Sequence, residues 1–264
     1  MRAFSEVVRD AKLRLLRMHY ESGVGHIGGN LSALDLLMCL YHRVLGPDDA
    51  FVLSKGHAAG ALYVTLWSLG RLRDADLDQF HQDGTLLSGH PPPHGIADIP
   101  FATGSLGHGF GLAAGLALGK RFQQAPGRIY CLLSDGEWNE GSTWETLIFV
   151  AHQKLTNLTF ITDLNGLQGF GTTREVANLD PLAERLHAFG ITTVEIDGHD
   201  PNAITATLAG ADAGPLAVIA KTVKGCGVSF MENRMDSHYL PLTASTYRQA
   251  VDEVLACARH SAVA

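Results

Sequence analysis

Residues 128–166 read RIYCLLSDGEWNEGSTWETLIFVAHQKLTNLTFITDLNG, and the fold is decided here. Two apolar, β-branched runs, 128–134 and 158–164, flank a helical pattern at 142–154, as expected for one right-handed βαβ unit. Parallel strands end at the same edge of their sheet. Asp135 and Asn165, which follow the two runs, therefore become neighbours in space although 30 residues separate them. The crevice between such strand ends is where open α/β sheets bind ligands. The first run stops abruptly in Asp135, Gly136, Glu137, Asn139, Glu140 and Gly141, and carboxylates at the end of a buried strand cost stability unless they are solvated or hold a cation. A carboxylate oxygen of Asp135, an amide oxygen of Asn165 and a backbone carbonyl of the loop NGLQG, for which Leu167 is the first choice, make half a shell of hard oxygen ligands. Such a set suits Mg²⁺, with Ca²⁺ as a substitute.

These ligands commit one full negative charge, so a divalent ion held there keeps positive charge and open positions for a diphosphate. Gly136 lets its backbone N–H approach a phosphate, and the helix that follows adds its positive end. An isolated Asp-Gly or Asn-Gly is ordinarily no more than a capped turn; placement at two adjacent strand ends is what argues for a site. Two nearby nucleotide fingerprints fail. GFGLAA (109–114) lies inside a helical pattern with no preceding strand, and GLALGKR (115–121) is one residue short of a P-loop.

Outward from this unit, ITTVEID (191–197) and LAVIAKT (216–222) read as further strands, with helical patterns at 181–189 and 202–210. The alternation predicts an α/β fold: three layers, a parallel sheet with helices on both faces. The first half reads as helices between glycine-rich loops: 2–21, the all-round apolar 31–45, 58–70 and a small acidic helix at 74–81, with FVLS (51–54) as a short strand. The segment SGHPPPHGIADIPFATGSLGHG (88–109) has too many Gly and Pro for regular structure; long loops of this kind are usually functional or disordered, and the apolar IPFATGSL argues against disorder. In the helix that follows, Gly107, Gly111, Gly115 and Gly119 recur every fourth residue on one face. Such a stripe serves close backbone approach, either to the chain's own sheet or to a helix of another subunit.

The 264 residues are 46% apolar and carry a formal charge of −7, enough for a sizeable core in a single unit, 1–264. Scattered basic residues outnumbered by acidic ones argue against nucleic acid as the main partner. Cys39, Cys131, Cys226 and Cys257 are far apart with no C-x-x-C, as for reduced cysteines of a cytoplasmic protein. The N-terminal segment is an amphipathic helix broken by charges rather than a signal peptide, and no apolar run is long enough to span a bilayer.

The motifs SGVGHIGGNLSALDLL, FVLSKGHAAGALY, SGHPPP, ATGSLGHGFGLAAGLALG, SDGEWNEGSTWET, DLNGLQGFG, EIDGHD and KTVKGCGVSFMEN run in order from about 20 to 238. Together they resemble the N-terminal, diphosphate-binding half of a transketolase, a thiamine diphosphate enzyme. The resemblance implies Asp135, Asn165 and the carbonyl of Leu167 as Mg²⁺ ligands. It places Gly136 and Glu137 at the diphosphate, His57 and His238 reaching toward it, and Gly104 and Leu106 against the cofactor. It gives His26 and His90 to the substrate channel, as groups that bind sugar hydroxyls and move protons, and Glu140 to a proton network between the active sites of a dimer. Ser134 stands where the family usually has glycine, His108 where it commonly has glutamine, and DSHYLPL around His238 where it often has Trp-His-Gly.

In the family, the glutamate that activates the cofactor's aminopyrimidine belongs to the next domain. The resemblance therefore implies a split transketolase: this chain with a separate C-terminal subunit that brings the pyrimidine-binding domain, expected as an α₂β₂ assembly acting on a sugar or sugar phosphate. The nearest rivals are the α subunit of a 2-oxo acid dehydrogenase and a non-catalytic cofactor-binding homologue. The histidine loops GHIGG and SKGHAAG favour the sugar enzyme.

Overall fold

The sheet is built from strands too apolar to face water on either side. Five parallel strands, β1 (Ala50–Leu53), β2 (Ile129–Ser134), β3 (Leu158–Leu164), β4 (Thr192–Asp197) and β5 (Leu216–Lys221), lie in the order β1-β2-β3-β5-β4. The computed structural model describes residues 2–210 and 214–261, so the extremes of the expected 1–264 unit lie outside the described residues. The helices are α1 (Phe4–Ser22), α2 (Ile27–Cys39), α3 (Ala59–Ser68), α4 (Asp74–Leu77), α5 (His108–Phe122), α6 (Gly141–Gln153), α7 (Thr173–Ala177), α8 (Leu182–Ala188), α9 (Pro201–Ala209), α10 (Asp236–Tyr239) and α11 (Ala244–Ser261).

Strand side chains alternate between two cores. Phe51, Leu53, Tyr130, Leu132, Ile161, Val218 and Ala220 pack with α1, α2, α3, α9 and α11. Val52, Ile129, Cys131, Leu133, Phe160, Ala217 and Ile219 pack with α5, α6 and α8 on the other face. This is the expected three-layer α/β arrangement. β2 is buried along its whole length, whereas β4, at the edge, is largely exposed. The chain steps from β1 to β3 in one direction, jumps to the edge as β4, and returns through α9 to insert β5. In the register, Ser134 pairs with Asp163 and Leu164 with Lys221, so β2, β3 and β5 all finish at one edge. Asp135 and Asn165 follow directly.

The elements depart from the sequence reading in several places. α2 begins at Ile27 rather than Leu31, taking Gly28 and Gly29 into the helix because a larger residue at 28 would strike the Ser237 side chain. The acidic helix is one turn, Asp74–Leu77. α11, outside the elements expected from periodicity, docks on α1 through a parallel stack of Tyr20 and Tyr247, 4.4 Å between ring centroids. The glycine stripe divides. Gly107 is the N-cap of α5 at φ 79°, where a Cβ would meet Glu140 and Thr143, while Gly115 and Gly119 have nothing within 4 Å of that position. The later glycines thus do not serve packing onto the chain's own sheet. Among the described residues no helix is long and apolar enough to cross a membrane.

Candidate cofactor site

At the strand tips, the carboxylate of Asp135 accepts the N–H of Gly136 with one oxygen and the N–H of Gly166 with the other, each at 2.8 Å. The second bond ties the loop after β3 to the end of β2. Asn165 Oδ1 accepts the N–H of Leu167 at 3.1 Å, and its amide faces Asp163 Oδ1 at 3.4 Å. Burial, and next the neighbouring Asp163 carboxylate, push the Asp135 carboxyl up to about 6. A carboxylate so destabilised gains from a cation, and each of these oxygens keeps a lone pair beyond the bond it already accepts.

The carbonyl of Leu167 already meets a cation. Lys224, buried at 3% exposure, donates from Nζ to that carbonyl at 3.1 Å and to His238 Nδ1 at 2.6 Å. Burial and then Lys55 lower the Lys224 ammonium to about 8. The donor set of Asp135, Asn165 and the Leu167 carbonyl fits a hard divalent ion, whereas the Lys224 ammonium on the third carbonyl is itself destabilised by its burial and by Lys55.

Beneath the tips lies a fully buried ion pair. Lys55, in the turn before α3, contacts Asp163 on β3, and both side chains have 0% exposure. Ser32 donates to the same carboxylate at 2.7 Å, Thr222 also donates to it, and Lys55 reaches the Gly29 carbonyl at 3.0 Å. Burial alone would raise the Asp163 carboxyl; Lys55 and the two hydroxyls outweigh it and hold it below its ordinary value. α2, the Lys55 turn, β3 and the segment after β5 are thereby tied at one point.

Against this edge stands a cluster of four imidazoles from four separate segments. His26 lies 5.8 Å from His57, 6.4 Å from His90 and 5.0 Å from His238, ring centroid to ring centroid. Asn30 sets the first spacing: its Nδ2 donates to the His26 carbonyl at 2.8 Å and to the His57 carbonyl at 3.1 Å, while its Oδ1 accepts the N–H of Ala61 at 2.7 Å. His26 caps α2 at φ 65°, and its N–H reaches the His238 carbonyl at 2.8 Å. A Cβ on Gly104, at φ 149°, would come within 2.9 Å of His90. Burial first, and then nearby cations or imidazoles, lower all four rings: His26 and His90 below their usual range, His57 well below it and His238 to about 3. Neutral rings at pH 7 can both accept and donate.

Every sequence-predicted residue is thus accounted for by position. Asp135, Gly136, Asn165 and Leu167 share the strand-tip edge, while His26, His57, His90, His238 and Gly104 share the histidine pocket. Leu106 lies half-buried in the loop before α5, its carbonyl facing the ring of His108 at 3.1 Å. Glu140 is exposed at the N-cap of α6. Glu137 has another part. It is 0% exposed, and its two oxygens take Ser54, the Gly107 N–H at 3.1 Å and the Ser134 N–H at 2.8 Å, so it braces three segments and has no free face toward a cofactor. Sequence reading passed over Lys55, Lys224, Asp163 and Asn30. Lys55 and Lys224 each stand beside glycine, in loops where a charge signals either solvent or a buried partner, and only the packing decides which.

A parallel α/β sheet with an Asp-Gly and an Asn-Gly at adjoining strand tips, facing a histidine pocket, defines a thiamine diphosphate-binding fold. Residues 11–255 match the family described as the thiamine diphosphate binding domain of transketolase, and the chain belongs to that family. It is 39% identical over 253 residues to one of the apulose-4-phosphate transketolase subunits of Phocaeicola vulgatus, covering 91% of this chain and 90% of that one. It is 37% identical over 244 residues to a 6-deoxy-6-sulfo-D-fructose transketolase subunit of a Clostridium strain, covering 88% of this chain and 89% of that one. The crystal structure of Campylobacter jejuni transketolase superposes with a TM-score of 0.86 at 28% identity, over 96% of this chain. The chain spans about 90% of those subunits but only 43% of that transketolase.

Proposed function

We propose that this chain is the diphosphate-binding subunit of a split transketolase, one unit over 1–264, which transfers a ketol group from a ketose or ketose phosphate to an aldose acceptor. The single observation that carries the reading is the joining of the strand-tip oxygens of Asp135, Asn165 and Leu167 to the four-histidine pocket through Lys224. In this reading those oxygens hold Mg²⁺, and the Gly136 N–H faces the diphosphate. Lys224 and His57 lie on the diphosphate side as well, where a polyanion offsets the cost of burying an ammonium. When bound, thiamine diphosphate supplies the electron sink for cleaving the bond beside a ketose carbonyl.

The chain's own share is positioning and proton traffic. His26 and His90, neutral and partly exposed, hydrogen-bond the sugar hydroxyls and relay the proton that leaves the donor hydroxyl as the bond breaks. Glu140, exposed beside the open glycine face of α5, would meet its counterpart only in an assembly. Support for that assembly comes from Gly115 and Gly119, open to any approaching backbone, and from Leu112, Phe122, Ile148 and Phe149, all exposed on α5 and α6. An α₂β₂ arrangement in the cytoplasm accords with this surface and with relatives named as subunits.

The test is reconstitution. The purified chain alone is expected to show no ketol transfer, and addition of its companion subunit with magnesium and thiamine diphosphate to restore it. Turnover by the single chain, or none by the pair across a panel of ketose donors, would overturn the proposal.

A further inference from the structure

On the far side of the Lys224 loop, three side chains that no part of the cofactor site uses come together. Asp35 on α2, His199 in the turn after β4, and Cys226 in the loop after β5 each place a ligating atom within 4.8 Å of the others, and all three are partly exposed. The histidine is oriented from both ends. Its Nδ1 donates to Asp35 Oδ2 at 2.8 Å, and its Nε2 accepts the N–H of Val223 at 2.9 Å. The lone pair on Nε2 is therefore held by a backbone N–H of the loop that carries the thiol, and it takes a proton only when that contact opens. A metal ion at this place would have to displace either the Nδ1 proton or the Val223 N–H. A base held by a carboxylate beside a thiol is instead the arrangement of an activated nucleophile.

We infer that Cys226 is a reactive thiol, a site of reversible modification by small-molecule disulfides, with His199 as its base and Asp35 as the group that orients that base. The step balances without another reactant. The Val223 N–H leaves Nε2, the S–H proton passes to that nitrogen, the thiolate attacks one sulfur of the disulfide, and its S–S bond breaks as the new one to Cys226 forms. The departing thiolate then takes the proton from Nε2. Burial opposes charge on the imidazole, but Asp35 and Cys226 outweigh it and raise its proton affinity. The other charged groups facing this loop are Lys12 of α1, whose Nζ donates to the Cys226 carbonyl at 3.3 Å, and Glu232, which accepts the Gly227 N–H at 2.9 Å.

The modification reaches the cofactor site through one turn. The Cys226 N–H donates to the Val223 carbonyl at 3.1 Å, Gly225 is bonded to the Gly28 carbonyl at 3.0 Å, and between them Lys224 reaches the Leu167 carbonyl. A group attached at Cys226 takes the place of the Val223–His199 contact and loosens Lys224 from that carbonyl, weakening the hold on cofactor. This coupling rests on the diphosphate reading; the reactivity of the thiol does not.

The full chain, with its companion subunit, is treated with oxidised glutathione at pH 7 and the adducts mapped by mass spectrometry. Cys226 is expected to react about 10-fold faster than the exposed Cys257, and His199→Gln and Asp35→Asn each to slow it about 10-fold. Asp35→Asn keeps an acceptor for Nδ1–H, and thermal melting verifies that both variants are folded. Equal rates in folded His199→Gln and wild type would overturn the inference, as would stoichiometric zinc that shields Cys226 until it is chelated. Glutathionylation should lower the affinity for thiamine diphosphate at least 5-fold, reversibly and not in Cys226→Ser; unchanged affinity would refute the coupling. Failure of the untreated complex to bind cofactor would instead count against the diphosphate reading.

Discussion

The strand-tip edge and the histidine pocket meet at Lys224 but are built in opposite ways. The edge comes from two consecutive strands of a single βαβ unit, and its Asp135 carboxylate is fixed by backbone N–H groups of glycines. The pocket gathers His26, His57, His90 and His238 from four segments spread over more than 200 residues, and a buried asparagine sets their spacing. One concentrates negative charge that asks for a cation; the other keeps its rings neutral. Sheet geometry is enough to make the first, whereas the second needs the whole chain in place.

The seam beneath both gives the strongest test of that contrast. Lys55→Met leaves Asp163 buried and unpaired at 0% exposure, which costs about 3–5 kcal/mol. Urea denaturation should show the loss, and the double variant Lys55→Met with Asp163→Leu should recover much of it. A loss below about 1 kcal/mol would mean that water reaches the carboxylate and that the two halves are not tied there.

The next pair of substitutions separates the halves by what each does. Asp135→Ala should reduce magnesium-dependent thiamine diphosphate affinity about 100-fold or more, since it removes a proposed ligand rather than a supporting group. His90→Ala should leave that affinity within about 3-fold while lowering kcat/KM about 100-fold, as removal of a proton-relaying group does. Calorimetry and a ketol-transfer assay on the reconstituted pair read both. A His90 variant that lost affinity and turnover together would erase the division of labour.

The same difference explains how much was legible in the sequence. Apolar, β-branched runs and the intervening helix placed Asp135 and Asn165 side by side without the structure, because parallel strands must end together. Nothing local brings His90 to His26; only resemblance to a family joined them. Gly28 and Gly29 read as loop because glycine's helix propensity is low, yet α2 needs Gly28 where the Ser237 side chain presses against it. Resemblance to the family, and nothing in the local pattern, put Glu137 at the diphosphate two residues beyond Asp135. The chain enters a tight 3₁₀ turn over Asp135–Asn139, which rotates Glu137 inward to Ser54 and Gly107.

The smallest expected effect separates the halves by sign. In the cofactor-free chain with magnesium chelated, His57 and His238 are held below 6.5, chiefly by burial and then by Lys55 and Lys224 respectively, His238 at about 3. The unfolded chain then binds protons that the folded chain refuses, so this contribution to stability is intact above pH 6.5 and is lost as pH falls below it. Asp135, raised from 3.8 to about 6, does the reverse: the folded chain keeps a proton that the unfolded chain releases, which is stabilising at low pH and lost as pH rises through 6. Between pH 7 and 5 the two trends oppose each other. In wild type the lowered histidines, with the buried His19 at about 4 among them, outweigh Asp135, and stability falls over that interval. Asp135→Asn, which cannot take up the compensating proton, should lose about 1 kcal/mol more. Denaturation midpoints for both proteins at pH 7, 6 and 5 measure the difference. Parallel losses would mean that the Asp135 carboxyl does not titrate in this range, and that the edge is less buried than the pocket it faces.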